Sequence, residues 1–325
     1  MSFSGEVKKE LEVHYSKARH CRIAEIMALF SVCGNILQMK SGRLVLNFST
    51  ENLTVAKKYF MLIRKTFDFF IETSVSSGNR GKRTPQVHMK ISEPAEVQMF
   101  LKACKILDES GNWIWGKSIA GSKLIQQNCC KRAFIRGLFL ASGSVTDPNY
   151  GYHFEIVLGN WKWAEEVTHI LEAFSIEAKI TERKKNYVVY IKEGAQIVDL
   201  LNIMEAHIAL MNFENVRILK EMRNSINRKV NCETANIKKT VSAASKQVED
   251  IYYIKEMIGF GTLSKGLADI AGLRIEHPEA SLKELGEMLD SPIGKSGVNH
   301  RLRKLSEIAN ELRLHKEEKY DNKEH

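Results

Sequence analysis

The sequence predicts an α+β protein: a duplicated αββαββα unit forming one pseudosymmetric body, followed by an all-α domain with a helix-turn-helix. Three observations carry this. The stretch 21–36 recurs at 130–145, an offset of 109. After both copies, strand-like and helix-like periodicities alternate in the same order. From Ser242 onward no strand pattern appears, and a turn containing Pro292 joins two amphipathic helices.

In the repeat, Cys21, Ala24, Leu29, Phe30 and Gly34 reappear as Cys130, Ala133, Leu138, Phe139 and Gly143, with a basic residue after each cysteine. Both stretches read as helices ended by glycine, which adopts a left-handed C′ conformation without cost. Ala28 and Gly137 occupy equivalent positions, small enough for the two helices to form a close seam. Strands at 43–48 and 152–158 follow turn residues (Lys40–Gly42; Asp147–Asn149), and helices are expected at 51–65 and 161–174. Strand pairs 69–76 with 86–91 and 178–183 with 187–191 come next, closed by helices 95–107 and 195–205. The expected organisation is a segment 1–20, a repeat domain 21–222 (repeats about 21–110 and 130–210), a basic linker 223–244, a helix-turn-helix domain 245–314 and a disordered tail 315–325.

A chain of 325 residues holds two or three domains at ~100–200 residues each. It is 44% hydrophobic with only five prolines, which excludes a disordered or collagenous chain. The charged opening lacks the apolar core of a secretory signal, and the longest apolar stretch, 23–33, is broken by Glu25 and Ser31. A cytoplasmic protein without membrane contact is expected. Six cysteines form no C-x-x-C pair and no histidine stands at zinc-finger spacing, so reduced buried thiols and no metal or cofactor are expected. Adjacent Cys129 and Cys130 are read as packing, with redox sensitivity as the alternative.

The first 245 residues hold 35 Lys and Arg against 24 Asp and Glu, which favours a polyanion such as nucleic acid. Two clusters stand out: Arg80, Lys82 and Arg83 in a turn, and seven basic residues against two acids over 217–239. Each also reads as a solvated loop or linker. Near the C-terminus, 295–304 has four basic residues and no acid.

In the C-terminal part, Val248, Ile251, Tyr252, Met257 and Ile258 mark one amphipathic helix, and Leu267, Ile270, Ala271 and Ile275 another. Ser281 and Glu284 then form a capping box. Leu282, Leu285 and Leu289 make the inner face of a short helix, and Gly286 lets a second helix cross closely. After the turn, Val298, Leu302, Leu305 and Ile308 point inward, leaving Lys295, Ser296, Asn299, His300, Arg303 and Lys304 on the other face. Asn299, His300 and Arg303 have groups that read base edges, whereas Arg301 and Lys304 suit phosphates. Ser281, Lys283 and Gly297 complete the candidate DNA-binding set. The plainer alternative is an ordinary helical hairpin with a charged face.

The duplicated small-Leu-Phe-x-x-x-Gly helix, each copy followed by four strands, resembles the LAGLIDADG homing-endonuclease fold. That resemblance implies one acid just before each terminal glycine, the two jointly holding a divalent metal. Here those positions are Cys33 and Ser142, so no catalytic residue is expected. Together with Gly-Lys-Ser-Gly-Val-Asn-His-Arg-Leu-Arg-Lys at 294–304, the opening Ser-Phe-Ser-Gly-Glu-Val-Lys-Lys-Glu-Leu and 139–145, the chain resembles the WhiA family. The resemblance implies a non-enzymatic, nucleoid-associated regulator that binds double-stranded DNA. It also implies a role in cell division and chromosome segregation, or in sporulation in actinobacterial relatives. Alternatives are an interaction protein with a protein partner on the repeat domain and DNA binding secondary, or, remotely, a residual nuclease.

Overall fold

The computed structural model describes residues 2–76, 85–107, 112–113, 118–119 and 123–321, with side chains to 315. The Arg80–Arg83 cluster and Trp115 lie outside them. Two compact units divide the chain, residues 1–221 and 222–325.

The first unit opens with α1 (Phe3–Val13), which buries Phe3, Val7 and Leu11 at four-residue spacing; Ser2 Oγ caps it by accepting from Gly5 N. The first repeat is α2 (Arg19–Cys33), β1 (Gly34–Gln38), β2 (Leu44–Thr50), α3 (Leu53–Phe67), β3 (Glu72–Ser76), β4 (Gln86–Ile91) and α4 (Pro94–Ala103). The second is α5 (Asn128–Ser142), β5 (Gly143–Val145), β6 (Phe154–Leu158), α6 (Trp161–Glu172), β7 (Lys179–Arg183), β8 (Asn186–Ile191) and α7 (Gly194–Ile203). Each is αββαββα. Each sheet is four-stranded and antiparallel, in the matching orders β1-β2-β4-β3 and β5-β6-β8-β7. Alternation turns Phe154, Ile156 and Leu158 of β6 inward while Glu155 and Val157 face outward.

Helices α2 and α5 form the seam, and both are buried nearly all round. A Cβ on Gly137 would stand 2.7 Å from both Ala28 Cβ and the Glu25 carbonyl oxygen, so the small pair does set the approach. The glycines that end the helices act differently from expectation. Gly34 and Gly143 are extended, with φ −97° and −82°, rather than left-handed. A Cβ there would fall 2.3 Å from the Phe30 ring and 2.4 Å from the Phe139 ring. They are needed because each helix passes directly into a strand under its own phenylalanine.

The seam also holds a charge cluster that the apolar periodicity conceals. Glu25, Lys58 and Arg136 are essentially inaccessible to water. Arg136 grips the Glu25 carboxylate with Nε and Nη2, both at 3.1 Å, and Lys58 Nζ lies 3.1 Å from it. The remaining donors reach other elements: Lys58 to the carbonyls of Leu11 and His14, and Arg136 to Ser16 Oγ and Glu205.

Two expected features are corrected. The stretch 223–244, expected as a basic linker, is helical throughout: it belongs to one helix, α8 (His207–Met257), which contains neither glycine nor proline to break it. Of the tail expected to be disordered, residues 315–321 continue α11 (Lys295–Asp321), which has no breaker after Gly297, and 322–325 lie outside the described residues.

Removing one member of a buried ion cluster strands the others without water, at a cost of about 3–5 kcal/mol. Glu25→Gln should therefore lower the unfolding free energy by about that amount, read from urea denaturation; a loss within the few tenths typical of surface substitutions would mean the cluster is not dry.

Candidate nucleic-acid interface

The second unit folds around Ile251 and Ile254 of α8, Leu267, Ile270 and Ala271 of α9 (Lys265–Glu276), Leu285 of α10 (Leu282–Glu287), and Val298, Leu302, Leu305 and Ala309 of α11. Tyr252, Met257 and Ile258, expected on the inner face of α8, are exposed. The buried face instead takes Asp250, which Arg313 of α11 pairs at 2.8 Å. Arg274, 3% exposed, was not legible as a core residue. It donates to Gln247 Oε1 and to the Ala280 carbonyl, joining α9 to α8 and to the start of α10.

The helix-turn-helix pair is built as its sequence suggests. Glu284 N donates to Ser281 Oγ at 3.3 Å and Ser281 N to Glu284 Oε2 at 2.7 Å, a complete capping box. The close approach at Gly286 is both to the turn and to the next helix, where Val298 Cγ2 of α11 would stand 3.1 Å from a Cβ. A Cβ there would lie 2.3 Å from the Ile293 carbonyl oxygen, and Ile293 N donates to the Gly286 carbonyl at 3.1 Å. That hydrogen bond folds the turn back and sets where α11 starts.

With Val298, Leu302 and Leu305 inward, helical spacing turns Lys295, Ser296, Asn299, His300, Arg303 and Lys304 outward, and all six are exposed. Among the described residues Glu307 pairs with this face, 3.3 Å from Arg303 Nε, an exposed i,i+4 pair of little net strength. Ser281 and Lys283 are also exposed; Ser281 serves as the cap, and Lys283 lies 3.7 Å from Glu287. Gly297 is half-buried against Ile293. Arg301 is the exception: it is half-buried and donates to the Gly266 carbonyl at 3.2 Å, where it braces α9.

In the first unit, Cys33 and Ser142 end α2 and α5. The Ser142 hydroxyl turns back to the Leu138 carbonyl. Burial pushes the Cys33 thiol up to about 11 against the pull of nearby Lys8, so it stays protonated. Lys8 reaches in from α1, its Nζ 5.6 Å from the centre of the Phe139 ring. Burial lowers its pKa to about 8. At neutral pH the end of the seam thus presents a neutral thiol, a hydroxyl and a mostly protonated lysine, a poor donor set for a hard divalent ion. Asp147 instead closes a turn, its Oδ1 accepting from Asn149 N at 2.8 Å.

Three family models match: the WhiA N-terminal LAGLIDADG-like domain over 19–107, the WhiA LAGLIDADG-like domain over 131–223, and the WhiA C-terminal HTH domain over 226–309. A probable cell division protein WhiA of Lachnoclostridium phytofermentans is 53% identical over 96% of this chain and 100% of its own length. The chain belongs to the WhiA family. A second probable cell division protein WhiA, from Alkaliphilus oremlandii, is 48% identical over 96% of this chain and 98% of its own. The crystal structure of full-length WhiA from Thermotoga maritima superposes with a TM-score of 0.59 at 26% identity, covering 96% of this chain and 99% of that one. The fold is therefore the WhiA arrangement of two LAGLIDADG-like repeats followed by a helical HTH region. Among the described residues no helix is long and apolar enough to cross a membrane.

The Lys8 amine gives this end of the seam a pH signature. Between about pH 8 and 10.5 the unfolded chain keeps the Lys8 proton while the folded chain has released it, so this group makes stability rise with pH. Lys8→Met removes that contribution. Urea midpoints near neutral pH and near pH 10 should show the wild type gaining on the variant by about 1–3 kcal/mol; a constant gap would show that Lys8 is hydrated.

Proposed function

We propose that this chain is a non-enzymatic, sequence-specific regulator that binds double-stranded DNA through α11 and acts in cell division and chromosome segregation. The single observation behind the DNA reading is the outward face of the first three turns of α11. It holds six exposed polar or basic side chains, and no acid occurs over 295–304. Recognition helices enter the major groove with their N-terminal residues at the base edges. In this arrangement Asn299, His300 and Arg303 read bases, while Lys295, Ser296 and Lys304 hold phosphates. Ser281, Lys283 and the Gly297 backbone flank that face. Arg301 contributes by positioning α11 rather than as a phosphate contact. The process is suggested by the relatives, which are named cell division proteins. The neutral donor set at Cys33 and Ser142 supports the absence of nuclease chemistry.

The outward sheet faces of the first unit favour a second role. Across the sheet the outward rows run Asn35, Asn47, Lys90, Glu72 and Ser144, Glu155, Tyr190, Lys179. Their acids are engaged: Glu72 with Lys90 at 3.4 Å, and Glu155 with Arg183 at 3.4 Å. Surfaces with both signs paired suit a protein partner better than a run of phosphates.

The test is capture of sheared genomic DNA by purified protein in Mg²⁺ buffer, with fragments and their ends sequenced. A shared motif with intact ends is expected. Arg303→Ala should weaken the enriched site by about 1–3 kcal/mol and relax one base pair. Uniform recovery would leave only charge-driven binding, and new ends at a fixed position would restore the nuclease.

A further inference from the structure

The repeat brings together four side chains that sequence spacing keeps apart. His20 and Cys21 begin α2; Cys129 and Cys130 begin α5. The offset of 109 that relates the repeats carries 20 onto 129 and 21 onto 130. The seam therefore places the two dipeptides side by side, and their four donor atoms lie within 4.8 Å of one another. We propose that His20, Cys21, Cys129 and Cys130 form a Cys3His site for Zn²⁺ that staples the N-terminal ends of the two seam helices.

The geometry fits that ion. Zn–S near 2.3 Å and Zn–N near 2.0–2.1 Å in a tetrahedron place sulfur and nitrogen about 3.6 Å apart. His20 Nδ1 lies 3.1 Å from Cys130 Sγ and 3.4 Å from Cys21 Sγ. Closing around an ion asks for shifts of only a few tenths of an ångström at these contacts. Neighbouring residues on a helix diverge by about 100°, yet both dipeptides sit in first turns and reach across the seam. Three sulfurs and an imidazole with no carboxylate select zinc over magnesium or calcium. The first-turn N–H groups of both helices favour the negative charge that thiolates bring. Cys21 and Cys130 are buried while His20 and Cys129 are exposed, so an ion enters from solvent and is closed in by the outer pair. With all four positions filled by protein the site is structural, and its binding free energy adds to folding of the first unit.

The experiment uses the full chain purified under reducing conditions. Elemental analysis should find one zinc per chain, and Co²⁺ exchange should give the intense visible bands and sulfur-to-cobalt charge transfer of a tetrahedral thiolate site. His20→Ala and Cys129→Ser alter exposed residues and leave the core intact. Each should weaken Co²⁺ binding by at least the ~10–100-fold seen when a ligand loses its outer partner. Cys104→Ser and Cys232→Ser should leave the spectrum unchanged. A chelator should lower the thermal midpoint of the wild type but not of Cys129→Ser. A metal-free chain that gives no thiolate–cobalt spectrum overturns the proposal. So does zinc retained by the His20→Ala, Cys129→Ser double variant, or a disulfide between Cys21 and Cys129 or Cys130 in protein whose thiols were blocked at lysis.

Discussion

The approach of α2 to α5 is the constraint on which the first unit depends. Gly137 leaves no room for a side chain against Ala28 and the Glu25 backbone, so the helices meet at backbone distance. That proximity decides what surrounds it. Glu25 on one helix and Arg136 on the other interlock as carboxylate and guanidinium, and Lys58 of α3 joins them. The surplus donors then reach the end of α1 and the residues after α7. One buried carboxylate thus ties together elements from both repeats and the N-terminal helix. Such a cluster adds little net stability over an apolar core of equal volume. It does penalise any register in which the three charges fail to meet, because each would be left dry and unpaired.

The cluster also breaks the internal symmetry. The positions equivalent to Glu25 and Arg136 are Phe134 and Met27, both buried hydrophobics. Two identical halves would form this pair twice, reciprocally; here it forms once. The duplicated framework sets backbone spacing, and the unlike residues decide which half plays which part. The ends of the seam differ similarly. At the C-terminal end α2 carries the Cys33 thiol, influenced by Lys8 of α1, whereas α5 carries the Ser142 hydroxyl turned back to its own helix.

What was legible in the sequence follows from how each feature repeats. The αββαββα order is readable because periodicity is written twice, and the capping box and turn of the second unit are local signals within a few residues. The seam contact at Ala28 and Gly137 is readable because small residues coincide under the offset. The buried charges were not readable: Glu25 counted only as a break in an apolar run, and its partners stand 33 and 111 positions away. Nor was the helical continuity of 223–244, since this stretch of α8 buries no side chain and so shows no apolar stripe to read. The role of Gly34 and Gly143 was right in position and wrong in reason, because sequence shows the residue and not the ring beneath it.

The second unit shows a similar division between side chains that hold the framework and side chains that face outward. Three arginines turn inward: Arg313 to the buried Asp250 carboxylate, Arg274 to the Ala280 carbonyl and Arg301 to the Gly266 carbonyl. An arginine committed to a carbonyl loses freedom to track a phosphate, but it fixes the helix that carries its neighbours. Arg303, two residues along and on the opposite side of α11, is 79% exposed and bound only to Glu307. Between these two basic residues the helical period therefore separates a packed side chain from an exposed one. Net charge cannot make that distinction, and a count of four cations over 295–304 overstates by one the side chains that stand exposed.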